Sequence, residues 1–351
     1  MPRFMLDSDE VAAIEGLLGK LTAAYDSAED PGFLLEAALL AHELPRRLRA
    51  ALISFRLTEP GSALLMISGY PVRDEKIGRT PEHWNRPAEA RLPALAEEIL
   101  FVLASSLLGE CIGWSTQQAG RIIHDVMPVR GMENEQIGIG SEQTIWWHTE
   151  DAFHPLHGDY LAMMCLRNPD RVPTTFASLE NLELEPEDWR TLFEPHYTIQ
   201  PDNSHRPEKA EKAEKAGNAA NASGQTGAGN GLYGRIEQMP GDRPEKIALL
   251  SGDPRSPYIR IDPYFMDPVA DHPGAQRAFE ALVAALDAKL GDVVLAPGDI
   301  CFIDNRKAVH GRRAFKARYD GHDRWFKRTN ITRDLRKSRA ARPSVESRII
   351  Q

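Results

Sequence analysis

The sequence predicts a mainly β fold with flanking helices, and two observations carry that prediction. Short apolar runs separated by loops recur from about residue 120 to the C-terminus, as is typical of strands. Amphipathic helical patterns instead gather in the first 110 residues. Helices at one end of a run of short strands favour a β core covered by helices, and a jelly roll is one such core.

The N-terminal part, residues 1–110, is interpreted as largely helical cladding. Apolar residues repeat at three- and four-residue steps after Ser8, which is placed as an N-cap, and a second helix is predicted to start near Pro31. A strand ended by Gly69 and an amphipathic helix over residues 92–108 follow. The apolar repeat of the first helix is formed by Val11, Ile14, Leu17, Leu18 and Leu21.

Strands dominate the rest of the chain. A hairpin turning at Pro297-Gly298-Asp299 is expected within residues 293–304, because this tripeptide is typical of turns. Helices are predicted over residues 185–193 and 274–290. The other predicted strands cover residues 121–129, 144–148, 160–166, 174–177, 247–252 and 258–262.

The composition changes abruptly over residues 204–233. Glu-Lys-Ala triplets begin at Glu208, Glu211 and Glu214, and residues 217–231 are almost all small or polar. Such a segment is too polar to join a core. Because strands are predicted on both sides of it, we interpret it as a flexible lid or insertion rather than a passive linker.

Bulk properties exclude several classes of protein. The net charge of -9 over 351 residues argues against a general nucleic-acid partner. No apolar run is long enough to span a bilayer, and acids occupy the N-terminus, so we expect a cytoplasmic protein with no membrane partner. The three cysteines, Cys111, Cys165 and Cys301, match no zinc motif and are expected to be buried thiols.

The stretch around Trp147-His148-Thr149-Glu150 offers metal ligands. Side chains two positions apart on a strand share a face, so His148 and Glu150 would point the same way. Two histidines and a carboxylate form the set that holds non-haem Fe(II) with open positions, and His310 is the candidate third ligand. The short motif alone is also compatible with a surface strand that carries two polar residues.

These residues also match a known family. The His148-Thr149-Glu150 stretch, residues 302–313 and residues 317–325 resemble the clavaminate synthase-like branch of the Fe(II)/2-oxoglutarate-dependent oxygenases. Within that branch the chain is most similar to arginine hydroxylases and desaturases of peptide-antibiotic biosynthesis, of the viomycin- and streptothricin-pathway type. The resemblance extends from about residue 42 to residue 335. It implies one oxygenase domain over residues 1–351 with a double-stranded β-helix (jelly-roll, cupin-like) core.

The resemblance implies a role for each candidate residue. His148, Glu150 and His310 would bind Fe(II), leaving positions for 2-oxoglutarate and dioxygen. Arg324 and Thr175 would bind the far carboxylate of 2-oxoglutarate, because a guanidinium pairs bidentately with a carboxylate. The substrate would be held by Arg328 at its carboxylate, by Gln117 and Glu150 at its α-amino group, and by Asp202 and Asp262 at its cationic end.

The implied reaction is hydroxylation of free L-arginine at Cβ, Cγ or Cδ, with succinate and CO2 as co-products. Desaturation is an alternative, because no motif reports the placement of one C–H bond. Lysine or an arginine derivative also remains possible as the substrate, since Pro263 and Tyr264 follow Asp262 where one branch has a second acid. Residues four apart on a strand share a face, so Arg324 and Arg328 are expected to point into one pocket and Lys327 outward.

Two other classes use the same ligands. A zinc hydrolase or isomerase would bind its metal through His148, Glu150 and His310 but would give Arg324 and Arg328 no role. A non-catalytic amino-acid or metal-binding protein is the third class. Neither class turns over 2-oxoglutarate.

Overall fold

The N-terminal helices cover one side of the protein in this computed structural model, which describes residues 2–85, 93–205 and 245–351. The N-cap of the first helix is Asp7 rather than Ser8, because the Asp7 carboxylate accepts from the backbone N–H of Glu10 and the Glu10 carboxylate accepts from that of Asp7. The helices are α1 (Ser8–Ala24), α2 (Pro31–Leu40), α3 (Arg46–Thr58), α4 (Asp74–Ile77), α5 (Leu95–Ser106), α6 (Pro186–Thr191) and α7 (Pro273–Lys289). Except for Ser204 and His205, the segment interpreted as a lid lies outside the described residues.

The strands form two main sheets and a hairpin. The large sheet has the order β1-β2-β11-β6-β13-β3-β14, with β4 also paired to β13; the small sheet has the order β10-β7-β12-β5, and β8 pairs with β9. The strands are β1 (Arg3–Met5), β2 (Leu64–Ser68), β3 (Glu110–Trp114), β4 (His124–Val126), β5 (Ile145–His148), β6 (Tyr160–Arg167), β7 (Thr174–Ser178), β8 (Leu250–Asp253), β9 (Ser256–Ile259), β10 (Gly291–Val293), β11 (Ile300–Asp304), β12 (Ala308–Arg312), β13 (Trp325–Thr332) and β14 (Ile349–Ile350).

Alternation along the large sheet produces two separate cores. Leu65 and Ile67 of β2 pack against the N-terminal helices, whereas Leu64 and Met66 pack toward the small sheet. The outer face of the small sheet is covered by α7, through residues such as Leu282. The layers are therefore helices, large sheet, small sheet and helix, and the space between the two sheets is where side chains of both meet.

The predicted hairpin over residues 293–304 is wrong. β10 pairs with β7 in the small sheet, whereas β11 pairs with β2 and β6 in the large sheet. The Pro297-Gly298-Asp299 turn carries the chain from one sheet to the other. Gly298 has a φ of 89°, and a Cβ there would lie 1.8 Å from the carbonyl oxygen of Tyr70, so only glycine fits.

Several other predictions can be compared directly with the structure. The three cysteines are free and buried, and α7 matches the predicted helix within one residue at each end. The strand predicted over residues 121–129 is limited to β4. Within the described residues, no helix has the length and apolar character needed to cross a membrane.

Candidate active site

Two histidines from neighbouring strands and one glutamate converge between the sheets. His148 ends β5 and pairs in register with His310 of β12, so the two imidazole rings lie 4.7 Å apart. Glu150 follows β5 instead of lying on it, and its Oε2 is 3.5 Å from Nε2 of His148 and 3.3 Å from Nε2 of His310. The structure therefore brings together the three predicted ligands, with one donor atom from each turned to a common point.

The donor atoms have the chemistry of a cation site. Nδ1 of His148 lies 2.8 Å from the carbonyl oxygen of Trp146, which only accepts, so neutral His148 carries its hydrogen on Nδ1 and a lone pair on Nε2. That lone pair faces the Glu150 carboxylate, an arrangement that needs a proton or a metal between the two atoms. Glu150 Oε2 is buried and has no hydrogen-bond partner among the described residues. The residues present thus fit a divalent metal ion.

The charges at this point follow the same logic. Although burial favours its neutral form, Arg328 and the two histidines hold the pKa of Glu150 well below its usual range. Burial opposes a charge on His148 as well, but the neighbouring Glu150 and Asp262 carboxylates raise the pKa of His148 to about 9. A negative carboxylate at the centre therefore attracts positive charge.

Asn305 fixes the backbone of Glu150. Its Oδ1 accepts from the Glu150 backbone N–H at 2.7 Å, and its Nδ2 donates to the carbonyl oxygens of Glu150 at 3.1 Å and of Gly158 at 2.9 Å. Asn305 is fully buried in the connection between β11 and β12. Its hydrogen bonds therefore hold the backbone of Glu150 against the connection that leads into β12, the strand of His310.

Arg324 is a buried cation with no anionic partner among the described residues. It is 5% exposed, and its guanidinium lies 3.8 Å above the Phe326 ring. No hydrogen bond or ion pair joins it to a residue within 2–85, 93–205 or 245–351, and burial lowers its pKa to about 10. Because Arg324 lines the same cavity as His148, the carboxylate of a bound ligand would pair with its guanidinium.

Of the two neighbouring threonines of β7, Thr174 lines the cavity and Thr175, the predicted residue, does not. In the β7–β12 pairing Thr175 stands opposite Gly311, and a Cβ on Gly311 would lie 2.8 Å from Thr175 Oγ1. Thr175 therefore shares the Gly311 face, away from His310. Thr174, one residue earlier, stands opposite Arg312 and lines the cavity. Strand alternation makes a one-residue error in register a change of face.

Arg328 lies at the centre of a polar network. Its Nη1 is 2.5 Å from Glu150 Oε1, and its Nη2 donates to His124 Nδ1 at 2.9 Å and to Gln117 Oε1 at 3.5 Å. Gln117 in turn donates through Nε2 to Ser204 Oγ at 2.7 Å. The structure thus places Arg328 and Gln117 together, beside Oε1 of Glu150, the oxygen that is turned away from the two histidines.

Two carboxylates line another part of the cavity. Asp202 accepts from the backbone and hydroxyl of Ser204 at 2.7 and 2.6 Å. Asp262 is 7% exposed, and burial raises its pKa to about 6 although His148 opposes the increase. In the described part of the chain neither acid forms an ion pair with lysine or arginine, so the cavity presents negative charge to a cationic guest.

Sequence reasoning missed two residues that line the cavity, Arg312 and His124, and one that supports it from behind, Asn305. Arg312 lies two residues after His310 on β12 and donates to the carbonyl oxygens of Gly140 and Gln143; alternation from His310 would have placed it in the cavity. Asn305 lies within a stretch that carried the resemblance but gave no sign of its backbone contacts. His124 could not be identified as a cavity residue without knowing that β4 pairs with β13.

Lys327 does not point to solvent. It is fully buried, and its Nζ lies 2.6 Å from Asp125 Oδ1 and 2.5 Å from Glu98 Oε1. Alternation correctly separates it from Arg324 and Arg328, but the opposite face of β13 is covered by α5. Sequence alternation alone does not tell which face of a strand meets water.

A histidine, glutamate and histidine cluster between two β-sheets, beside buried arginines, is the ligand set typical of mononuclear non-haem iron oxygenases. Residues 103–330 match the model of the family described as "Taurine catabolism dioxygenase TauD, TfdA family". The chain belongs to this family. It is an Fe(II)/2-oxoglutarate-dependent dioxygenase, as the resemblance predicted.

Similar proteins cover the whole chain. It is 46% identical over 349 residues to enduracididine beta-hydroxylase of Streptomyces hygroscopicus, with 98% of each chain covered. It is 44% identical over 351 residues to L-ornithine/L-arginine 3-hydroxylase of Catenulispora acidiphila, with 100% of each covered. The crystal structure of the non-heme iron oxygenase OrfP with Fe, succinate and (3S)-hydroxy-L-Arg superposes with a TM-score of 0.87 at 39% identity, covering 100% of both chains.

Proposed function

We propose that this protein hydroxylates free L-arginine, with Cβ as the first position, in a reaction that consumes 2-oxoglutarate and dioxygen and releases succinate and CO2. His148, Glu150 and His310 would hold the Fe(II). The layered arrangement of the two sheets supports a double-stranded β-helix (jelly-roll) core within one oxygenase domain over residues 1–351.

The observation that carries the proposal is the separation of charges along one cavity. Arg324 is buried without an anionic partner among the described residues, while Asp262 is buried without an arginine or lysine partner there. The first suits a dicarboxylate such as 2-oxoglutarate, and the second suits a guanidinium or ammonium. A zinc hydrolase needs neither of them.

Each side chain would have a defined task. Arg324 would hold the far carboxylate of 2-oxoglutarate, and Thr174, which lines the same cavity, would take the role predicted for Thr175. Arg328 would bind the substrate carboxylate, and Gln117 and Oε1 of Glu150, the oxygen that Arg328 contacts, would meet its α-amino group. Asp262 and Asp202 would receive the guanidinium. Anchors at both ends of the amino acid fix which C–H bond faces the metal.

Bound Fe(II) would supply the oxidising chemistry, and the chain would supply the geometry. The Trp146 carbonyl keeps Nε2 of His148 free to bind the metal. Asn305 holds the backbone of Glu150 in place. The apolar walls formed by Met163 and Phe326 keep water away from the reacting carbon.

Relatives support the substrate and the position. One similar enzyme is named for ornithine and arginine and another for enduracididine, and a structure of OrfP contains L-Arg. The β-position of the one name and the 3-position of the other denote the same carbon. We therefore place the hydroxyl at Cβ of L-arginine, with L-ornithine, enduracididine and L-lysine as the competing substrates to compare.

A succinate assay with Fe(II), ascorbate, 2-oxoglutarate and these amino acids tests the proposal. We expect L-arginine to stimulate succinate formation most strongly and the product to gain sixteen mass units, with the oxygen at Cβ. A loss of two mass units would assign desaturation instead. Absence of succinate with every amino acid would contradict the proposal and favour a hydrolase or a binding protein.

Arg328→Ala provides the matched variant. It should abolish amino-acid oxidation while leaving slow 2-oxoglutarate decay without substrate, because Arg324 is untouched. Normal oxidation of L-arginine by this variant would show that another residue binds the substrate carboxylate.

A further inference from the structure

His124 is a cavity residue that stands directly opposite Arg328. β4 and β13 pair antiparallel with His124 and Arg328 in register, so their side chains lie on the same face. His124 is 4% exposed and lines the cavity that contains His148, Glu150 and His310. The metal-ligand set does not use it.

The hydrogen bonds of His124 fix its tautomer. Its Nε2 lies 3.0 Å from the carbonyl oxygen of Arg121, which only accepts, so Nε2 carries the hydrogen. Nδ1 is then a lone pair, and it accepts from Nη2 of Arg328 at 2.9 Å. Burial and the Arg328 charge lower the pKa of His124 to about 3, in agreement with a neutral ring.

His124 determines how the guanidinium of Arg328 is turned. Glu150 Oε1 takes Nη1 at 2.5 Å, but the Gln117 contact to Nη2 is long, at 3.5 Å. Without His124 the group would have one strong partner and could rotate about it. With His124 both terminal nitrogens are fixed, and Nε is left buried without a partner among the described residues.

We propose that His124 is a positioning residue for substrate selection: it holds Arg328 in the orientation that receives the α-carboxylate of the amino acid. The proposal rests on the proposed function for the identity of that ligand. It makes His124 responsible for the preference for an amino acid over the corresponding amine, because the amine lacks the carboxylate that Arg328 binds.

The test compares two ligands that differ only in that carboxylate. L-Arginine and agmatine are titrated calorimetrically, without oxygen, into protein loaded with Fe(II) and 2-oxoglutarate. In His124→Leu the affinity for L-arginine should fall about tenfold to a hundredfold, the expected effect of losing a hydrogen bond to a charged group. The affinity for agmatine should change less than twofold.

Two further variants separate positioning from general damage. In His124→Asn the amide oxygen can lie near the position of Nδ1, so most of the preference for L-arginine should return. His157→Leu replaces another buried, neutral histidine that lies away from the cavity, and it should leave both affinities unchanged. In steady-state assays His124→Leu should raise KM for L-arginine more than it lowers kcat.

The outcomes are distinct. If wild-type protein prefers L-arginine and His124→Leu keeps the same ratio of affinities, the inference is overturned and the proposed function stands. Equal weakening of both ligands would also overturn it. If wild-type protein binds neither ligand, both the proposed function and the inference fail.

Discussion

Buried cations lie on both sides of β13, and they differ in their surroundings. On one face Lys327 is fully enclosed, with Glu98 and Asp125 within 2.6 Å of its ammonium group. On the other side Arg324, which immediately precedes β13, is almost as deeply buried, but its guanidinium lies over the Phe326 ring and has no anion in the described part of the chain. Burial alone therefore does not distinguish a structural cation from one that binds a ligand.

The difference is whether the described residues include an anion that pairs with the buried cation. A buried ion pair is costly to break because the remaining partner is left uncompensated. A buried cation without an anion lowers stability until a ligand provides one. We expect Lys327 to contribute to folding and Arg324 to binding, and the following predictions test that contrast.

The largest effect is expected from Lys327→Ala. It leaves Glu98 and Asp125 buried without their shared cation, so the free energy of unfolding should fall by about 3–5 kcal/mol. Chemical denaturation measures this loss. Lys337→Ala, at an exposed lysine, is the control and should change stability by less than about 0.5 kcal/mol. A Lys327 variant as stable as wild type would remove one side of the comparison.

Arg324→Met should show the opposite behaviour. Methionine fills similar space without a charge, so stability should be unchanged or higher, while KM for 2-oxoglutarate should rise about a hundredfold, a change of about 3 kcal/mol. Steady-state succinate formation and thermal unfolding measure the two quantities. Arg336→Met, at a residue whose side chain is 92% exposed, should alter neither. A normal KM would mean that Arg324 does not bind the co-substrate.

Asp262→Asn extends the comparison to an acid that has no lysine or arginine partner in the described part of the chain. The pKa of Asp262 is raised to about 6 from 3.8. Between these two pH values the carboxyl group is protonated in the folded state and ionised in the unfolded state. Stability from this group is complete below about pH 3.8 and is lost as pH rises through 6, at a cost of roughly 2–3 kcal/mol. Asp262→Asn should therefore gain stability at pH 8 relative to wild type but not at pH 4. An equal difference at both pH values would contradict the assignment.

A smaller effect is expected from Asn305→Asp. The change removes both hydrogen bonds that Nδ2 donates to the carbonyls of Glu150 and Gly158. Metal affinity should fall about tenfold to a hundredfold, as for other residues that orient a ligand. Co(II) titration followed by absorbance measures this affinity. Asn181→Asp, at an exposed asparagine, should bind Co(II) like wild type.

Much of the site could be predicted from the sequence because its residues lie in short characteristic stretches. His148, Glu150 and His310 are such residues, and the structure brings them together. Arg324 and Arg328 followed from strand alternation combined with the resemblance.

The parts that could not be predicted depend on which strands pair and which faces are covered. Thr174 replaces Thr175 because the register of β7 against β12 is a tertiary property. Lys327 is buried because α5 covers its side of β13, and no local pattern contains that information. The turn at Gly298 was identified, but the two strands beside it join different sheets because of their distant partners.

The most direct test of the central claim is an oxygen-free titration of the purified protein with Fe(II) and then 2-oxoglutarate, followed by visible absorption. If His148, Glu150 and His310 hold one metal beside Arg324, the charge-transfer band of an iron-bound keto acid should appear in wild type. It should be absent in His310→Ala and require a higher 2-oxoglutarate concentration in Arg324→Met. A band of normal intensity in His310→Ala, or none in wild type, would contradict the account.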